Sequence, residues 1–370
     1  MKIIVIGSGI VGASAAYHLV KNNTEVIMID KDHHGAATSA GAGIVCPWIS
    51  SVDDDDWYRI AKGGAQYYPE LISQLKNDNE ENVGYKKVGA ICLGANSEEL
   101  ERIEKEVGTK QIDAPELGDI ERLSTEKARQ LFPPLKEGRE AVFVSGAARV
   151  DGRLLRDAMK RAAQKHGAKL LNGEVALIHE GDKITGVKIN DEKIYADTVL
   201  ITAGAWSPEL LAPIGIELKV EPQRGQIAHI NLPNTDTSNW PVVLPGSSHY
   251  MLAFDDSRVV AGATRETGTG FNYRTTVGGV NEVITEALNV APGLAEGTIQ
   301  EVRIGFRPMG PDILPILGRL DCLKGIVLAT GLGASGLTMG PYVGKLAASI
   351  LKDEEVGLDL VAYNPNRAIK

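Results

Sequence analysis

The segment Gly7-Ser8-Gly9-Ile10-Val11-Gly12 has the residue types and spacing that hold a diphosphate. A glycine at 7 permits a tight turn, one at 9 lets the backbone approach the phosphates, and one at 12 lets a helix pack closely on a strand. The N-terminus of that helix would offer free N–H groups and a partial positive charge to the anion. Asp30 stands about 20 residues downstream, where a carboxylate accepts hydrogen bonds from a ribose hydroxyl. Two further runs suit a chain that passes a ligand at close range. Ala37-Thr38-Ser39-Ala40-Gly41-Ala42-Gly43-Ile44 consists of small residues, hydroxyls and one final apolar residue. Leu200-Ile201-Thr202-Ala203-Gly204-Ala205-Trp206-Ser207 carries no bulky side chain between its apolar start and Trp206. Taken singly, the first also reads as an ordinary flexible loop and the second as a plain strand-to-helix turn.

The glycine spacing means something only if a strand precedes it and a helix follows. Residues 2–6 are a short β-branched run ending at glycine, which reads as a buried parallel strand. Residues 10–22 read as a helix and 25–29 as a second buried strand, giving a βαβ unit. Residues 31–50 read as a loop with a short helix. The four aspartates at 53–56 read as the solvated start of a helix over 57–76, because Asp favours a first helical turn. They lack the alternating ligand spacing of an EF-hand.

Downstream, strands are expected over 85–93, 141–145, 226–230, 258–263, 302–306 and 325–330. Helices are expected over 97–107, 124–131, 153–166, 280–290 and 336–351, and residues 168–201 alternate strand and turn. Elements of βα type therefore occur at the start, middle and end of the chain, with hairpin-like segments between. The pattern predicts an α/β (α+β) protein: a discontinuous Rossmann-like nucleotide domain with an inserted, mainly antiparallel sheet domain. The expected divisions are 1–84, 142–217 and 302–370 for the nucleotide domain, and 85–141 and 218–301 for a substrate domain.

Composition narrows the function. The formal charge of −9 over 370 residues argues against nucleic acid as a partner, since phosphate backbones need a basic face. The three cysteines, Cys46, Cys92 and Cys322, have no CxxC spacing, so neither a disulfide framework nor a zinc site is expected. Each reads as a small buried apolar residue in a reducing cytosol. No run of about 18 apolar residues is present, so no membrane-spanning helix is expected, while peripheral contact at the inner face of a membrane stays open. No metal is expected. The nucleotide motif alone does not separate NAD from FAD, but a single GxGxxG unit fits one nucleotide held as a prosthetic group.

Seven ordered segments together resemble the D-amino acid oxidase family of flavoproteins, in the branch with glycine oxidase, monomeric sarcosine oxidase and D-amino acid dehydrogenases. They are GSGIVG with Asp30, ATSAGAGI, LITAGAWS, EPQRGQ at 221–226, VVAGATRE at 259–266, GFRPMGPDILPILG at 305–318 and ATGLGASGLTMGP at 329–341. The resemblance spans nearly the whole chain and implies noncovalent FAD. It places Gly7, Ser8, Gly9, Ile10, Val11, Gly12, Asp30, Lys31, Thr38, Ser39, Ala40, Gly43, Ile44, Val175, Ala203, Gly204, Trp206 and Arg307 against the cofactor. To these it adds a flavin-edge loop, Gly333-Ala334-Ser335-Gly336-Leu337-Thr338, whose N–H groups would face developing negative charge on the ring.

The same resemblance makes Arg307 the binder of a substrate carboxylate, which a guanidinium fork holds in a fixed plane. Tyr250 would donate to that carboxylate. His249 reads as structural, and Arg224 as a support for the strand near the pocket. The implied reaction is hydride transfer from a small amino acid, a D-amino acid or glycine-like compound, to flavin N5. The resulting imine would be hydrolysed to a keto acid and ammonia. The alternatives are a secondary amine such as sarcosine or a proline-like compound, and a flavin-binding electron-transfer subunit without turnover. The chain has Leu332 to Ser335 where glycine oxidases often carry a His–Arg pair, which puts glycine or sarcosine specificity in doubt. The electron acceptor (O2, a quinone or another species) and the oligomeric state are left open; a homo-oligomer is compatible with the sequence.

Overall fold

Strand Lys2–Ile6 is covered on both sides, and that decides the layering of the nucleotide half. The computed structural model describes residues 1–21 and 24–370. Ile3 and Val5 point into a core shared with helices Ile10–Val20, Asp55–Asn77, Gly152–Lys165 and Gly336–Leu351. Ile4 and Ile6 point the other way, into a core with Val175, Val187 and Ile189 of a small antiparallel meander. Successive side chains of a strand point to opposite faces, so a continuous apolar run fits only a strand buried on both. The expected helix over 10–22 is found as Ile10–Val20; Asn22 lies outside the described residues.

The main sheet has six strands in the order Ile316–Arg319, Ile326–Thr330, Thr198–Ile201, Lys2–Ile6, Glu25–Asp30 and Lys169–Asn172. All neighbours pair in parallel except the first strand, which is antiparallel. The chain leaves Lys2–Ile6 for a neighbour on one side and later returns to its other side. That reversal opens a crevice at the carboxyl ends of the strands, where open α/β sheets bind ligands.

The second sheet has eight strands: Thr298–Met309, Glu221–Asn231, Arg258–Gly262, Tyr250–Phe254, Val242–Leu244, Ala90–Leu93, Ala141–Val144 and Ile120–Leu123. Its pairs are antiparallel except Val242–Leu244 with Ala90–Leu93. Helix Val277–Val290 packs its apolar side on this sheet.

Several elements differ from the sequence expectation for identifiable reasons. The two longest strands exceed the expected 226–230 and 302–306 because their polar residues are neutralised inside the fold. Arg224, at 4% exposure, is paired with Glu266, and Gln223 is bonded to Arg307. The strand expected over 85–93 breaks at Gly89, which takes a φ of 76°; Val88 and Gly89 both donate to the Ala147 carbonyl. The aspartate run does start a helix, with Asp54 accepting from the Trp57 N–H at 2.7 Å. Cys46 and Cys92 are buried, but Cys322 is exposed, in the connection from the edge strand Ile316–Arg319 to its neighbour Ile326–Thr330. The expectation of three buried cysteines is corrected there, because Leu320 and Leu323 of that connection reach the core and Cys322 does not.

Two expected domain divisions fall inside strands of the large sheet, in Ala141–Val144 and in Thr298–Met309. We propose to place both divisions outside those strands, since a ladder of backbone hydrogen bonds binds them to one sheet. Asp151 couples the two halves. It caps helix Gly152–Lys165 through the Arg153 and Leu154 N–H groups and accepts from Arg258 of the large sheet at 3.2 Å.

Candidate active site

One cavity of about 450 Å³ runs from the crevice of the parallel sheet to the face of the antiparallel one. Gly7, Asp30, Thr202 and Thr330, each at or just past the end of a central parallel strand, line its inner end. Gly7 turns the chain with a φ of +92°, and a Cβ there would lie 2.6 Å from the Thr202 carbonyl oxygen. At Gly12 a Cβ would collide with the Gly7 carbonyl oxygen, so the helix can seat against the turn only with glycine. These are the steric reasons for the glycine spacing.

Asp30 ties the turn to the second strand. Its Oδ2 accepts from the Ser8 N–H and from the Ser8 hydroxyl at 2.8 Å, and its Oδ1 accepts from the Asp32 N–H at 2.7 Å. An ionised carboxylate has about four acceptor sites, so one is left for a ribose hydroxyl. Thr38 accepts from the Ile10 N–H at 3.0 Å and so closes the second expected segment over the start of the first helix.

Gly9, Ile10, Val11, Lys31, Ala40, Gly43, Ile44, Val175, Ala203, Gly204 and Trp206 also line the cavity, as does the loop 333–338. Three expected positions stand behind the wall. Ser8 faces Asp30, Gly12 packs the helix, and the Ser39 hydroxyl accepts from Arg156 at 2.8 Å. Lys31 forms an exposed pair with Glu174 at 2.8 Å. Trp206 is stacked between His33 at 4.4 Å and Phe271 at 4.7 Å.

The other end of the cavity is cationic. Arg307 lies opposite Gln223 in the strand register. Its Nη1 donates to Gln223 Oε1 and to the Thr264 carbonyl, both at 3.0 Å. The Tyr250 hydroxyl also lies within hydrogen-bonding reach of the guanidinium, and among the described residues no carboxylate is bonded to it, which leaves its charge for a ligand anion. Gly225 backs the group: a Cβ there would meet Nη2 at 2.8 Å and Cζ at 2.9 Å.

Tyr250 and Arg265 share this part of the wall. Burial raises the Tyr250 phenol above its ordinary range, opposed by the charges of Arg307 and Arg265. Burial also pulls the Arg307 guanidinium below its usual value; Tyr250 opposes this and the positive charge of Arg265 adds to it. Arg307 stays charged at any ordinary pH and Tyr250 stays a neutral donor.

Arg224 pairs with Glu266 at 2.5 Å and donates to the Asn272 carbonyl at 3.0 Å, so it holds the loop beyond the strand. His249 lies outside the cavity wall, 3.4 Å from Glu282. Cys46 does line the cavity, but burial pushes its thiol up to about 12, which leaves it inert. Arg265 and Gly225 were not picked out from the sequence, although both lie inside segments quoted above. The signal was a charged residue three positions past a strand of small and apolar residues, and a glycine next to an arginine.

The glycine cradle, the free helix N-terminus and the acid at the strand end fit the diphosphate and ribose of a dinucleotide. A family model described as FAD dependent oxidoreductase, DAO, matches residues 2–350. The chain belongs to that family. It is an FAD-dependent enzyme. It is 47% identical to an uncharacterized oxidoreductase, YurR, of Bacillus subtilis strain 168, with 99% of each chain covered. The crystal structure of iminodiacetate oxidase from Chelativorans sp. BNC1 superposes with a TM-score of 0.96 at 48% identity, covering 98% of each chain. A glycine oxidase of Pseudomonas aeruginosa is 26% identical over 98% of each chain. Among the described residues no helix is long and apolar enough to cross a membrane.

Proposed function

We propose that the enzyme oxidises the C–N bond of a small amino acid, holding the substrate carboxylate on Arg307 with Tyr250 as a second donor. The observation that carries this reading is the guanidinium without a protein anion. Arg307 lines the cavity, fixed through Nη1 and backed by Gly225, and among the described residues no protein carboxylate is bonded to it. A pure cofactor binder has no need of a braced carboxylate fork opposite the nucleotide cradle.

FAD, when bound, supplies the two-electron oxidation by taking a hydride equivalent from the carbon next to nitrogen. The protein's part is orientation and charge. Arg307 and Tyr250 fix the carboxylate and hence the carbon beside it, and fixed geometry of this kind is worth orders of magnitude in rate. The loop 333–338 brings backbone N–H groups and the start of a helix to the cavity, where they favour negative charge. No carboxylate or imidazole is bonded to Arg307 among the described residues, and the nearby cations disfavour a protonated amine. The substrate amine therefore reacts in its neutral form, without a side-chain base. The oxidised C–N bond is an imine, and water converts it to a carbonyl compound and an amine or ammonia. We further propose noncovalent FAD and a cytosolic setting, the latter in keeping with three unpaired cysteines.

A secondary amine is the favoured member of the class, because iminodiacetate is the substrate named for the 48% identical relative. The test is anaerobic mixing of the yellow protein with iminodiacetate, sarcosine, glycine and separate pools of D- and L-amino acids. Bleaching of the flavin band by one of these supports the reading and names the substrate class. A flavoprotein that none of them bleaches contradicts it.

A further inference from the structure

We infer that Arg265 is a second carboxylate-binding residue, so that the cavity is built for a small dicarboxylic amine rather than for a monocarboxylic one. This rests on the assignment of Arg307 to the first carboxylate.

Three observations carry the inference. First, Arg265 lines the same cavity as Arg307 and Tyr250, and its exposed side chain enters no hydrogen bond and no ion pair among the described residues. The nearest acid in sequence, Glu266, is fully engaged. It accepts from Arg224 at 2.5 Å, from Gln226 at 2.8 Å and from the Thr264 hydroxyl at 2.8 Å.

Second, the backbone on either side of Arg265 is pinned. The Thr264 carbonyl accepts from Arg307 Nη1 at 3.0 Å. The Glu266 N–H and carbonyl both bond to Arg224, at 2.9 and 3.0 Å. The cation is thus carried by a rigid stretch that begins one residue from the Arg307 contact, as a binding group should be.

Third, the acids on the cavity wall are elsewhere. Asp30 is at the nucleotide turn, Glu174 is paired with Lys31, and Glu209 follows Trp206 beyond the strand Thr198–Ile201. Two guanidinium groups therefore share one end of the cavity with no protein anion bonded to either. A ligand with one carboxylate leaves the exposed Arg265 to solvent, and a ligand with two engages both guanidinium groups. The mutual repulsion felt at Arg307 supports their proximity.

The test uses the FAD-loaded protein and two ligands that lack an oxidisable amine. Oxydiacetate carries two carboxylates; methoxyacetate has a similar ether skeleton with one. Calorimetric titration of the wild type should show oxydiacetate binding about 10- to 100-fold more tightly, the gain from one charge-assisted pair. In Arg265→Met that ratio should fall at least tenfold, and Arg265→Lys should restore part of it. A wild-type ratio near one, or an unchanged ratio in Arg265→Met, overturns the inference. Arg307→Ala separates the two levels. If it abolishes methoxyacetate binding, the first-carboxylate reading stands whatever Arg265 does. If it leaves methoxyacetate binding intact, that reading falls and takes this one with it, as does failure of both ligands to bind the wild type.

Discussion

Tyr68, on helix Asp55–Asn77, donates its hydroxyl hydrogen to the carbonyl oxygen of Leu337, in the first turn of helix Gly336–Leu351. The bond has a covalent cause. In a regular helix the Leu337 carbonyl would accept from the N–H four residues on, but residue 341 is a proline and has none. A buried carbonyl without a partner is costly, and Tyr68, fully buried and stacked on Tyr85 at 5.3 Å, supplies the donor. Leu337 also lines the cavity, so the same bond steadies the loop that faces the cofactor.

Tyr68→Phe should therefore keep the ring stack and lose stability by about 1–3 kcal/mol, the cost of leaving a buried acceptor unmet. Urea denaturation of the holoprotein measures it, and FAD should dissociate more readily from the variant. A midpoint equal to wild type would show that water or another donor serves Leu337.

Arg307→Ala should raise KM about 100-fold, since a bidentate charged pair is lost, while the flavin spectrum remains. Tyr250→Phe should weaken binding less, by about tenfold. Burial raises the Tyr250 phenol, so it stays protonated through the alkaline range. The alkaline limb of the kcat/KM profile should be the same in wild type and Tyr250→Phe. A limb that disappears in the variant would assign that ionisation to Tyr250.

Gly225→Ala tests the bracing of Arg307 without removing a charge. The added Cβ would lie 2.8 Å from Nη2, closer than real Cβ contacts allow, so the guanidinium must shift. A displacement of that kind should cost about tenfold or more in kcat/KM with FAD binding retained, because orientation is lost. Steady-state kinetics at wild-type level would mean that Arg307 has room to relax.

His229, at 1% exposure, accepts from Arg258 at 3.2 Å through Nδ1, which requires the neutral ring. Burial first, and then the charges of Arg303 and Arg258, push its pKa down to about 3. The unfolded chain takes up the proton nearer 6.5, so the unfolded state binds more protons between these values. Stability from this group is fully present above about 6.5 and is lost as pH falls toward 3. The expected slope is about 1.4 kcal/mol per pH unit. His18, also pushed down to about 3, first by burial and then by Lys345, Lys21 and Lys352, adds a second contribution of the same sign. Chemical denaturation of His229→Gln at several acid pH values should show a slope shallower by about that amount. Equal slopes would mean that His229 is charged in the folded protein.

The first βαβ unit was legible, apart from the end of its helix, because most of its signals are local. A strand buried on both faces must be apolar throughout, and the glycine spacing marks the turn and helix start, although the contact that excludes a side chain at Gly7 comes from Thr202, far along the chain. The long strands of the second sheet were legible only in part. Arg224, Gln226 and Arg307 interrupt the apolar pattern there, and their partners Glu266, Thr264 and Gln223 come from other parts of the chain.

The sequence by itself determined the nucleotide cradle, the acid at the end of the second strand, the order of the elements and, through seven motifs, the family. These are properties of residue type and short spacing. Only the tertiary structure decided which residues meet across the cavity. It brought Arg307 against Gln223 and Gly225, with Arg265 one residue beyond its Thr264 contact, although these positions are up to 84 residues apart in the chain. It also moved Ser8 and Ser39 behind the wall. The physical reason is that a guanidinium's role depends on which acceptors remain for it after folding, and that count is set by strand register and packing rather than by the residues beside it.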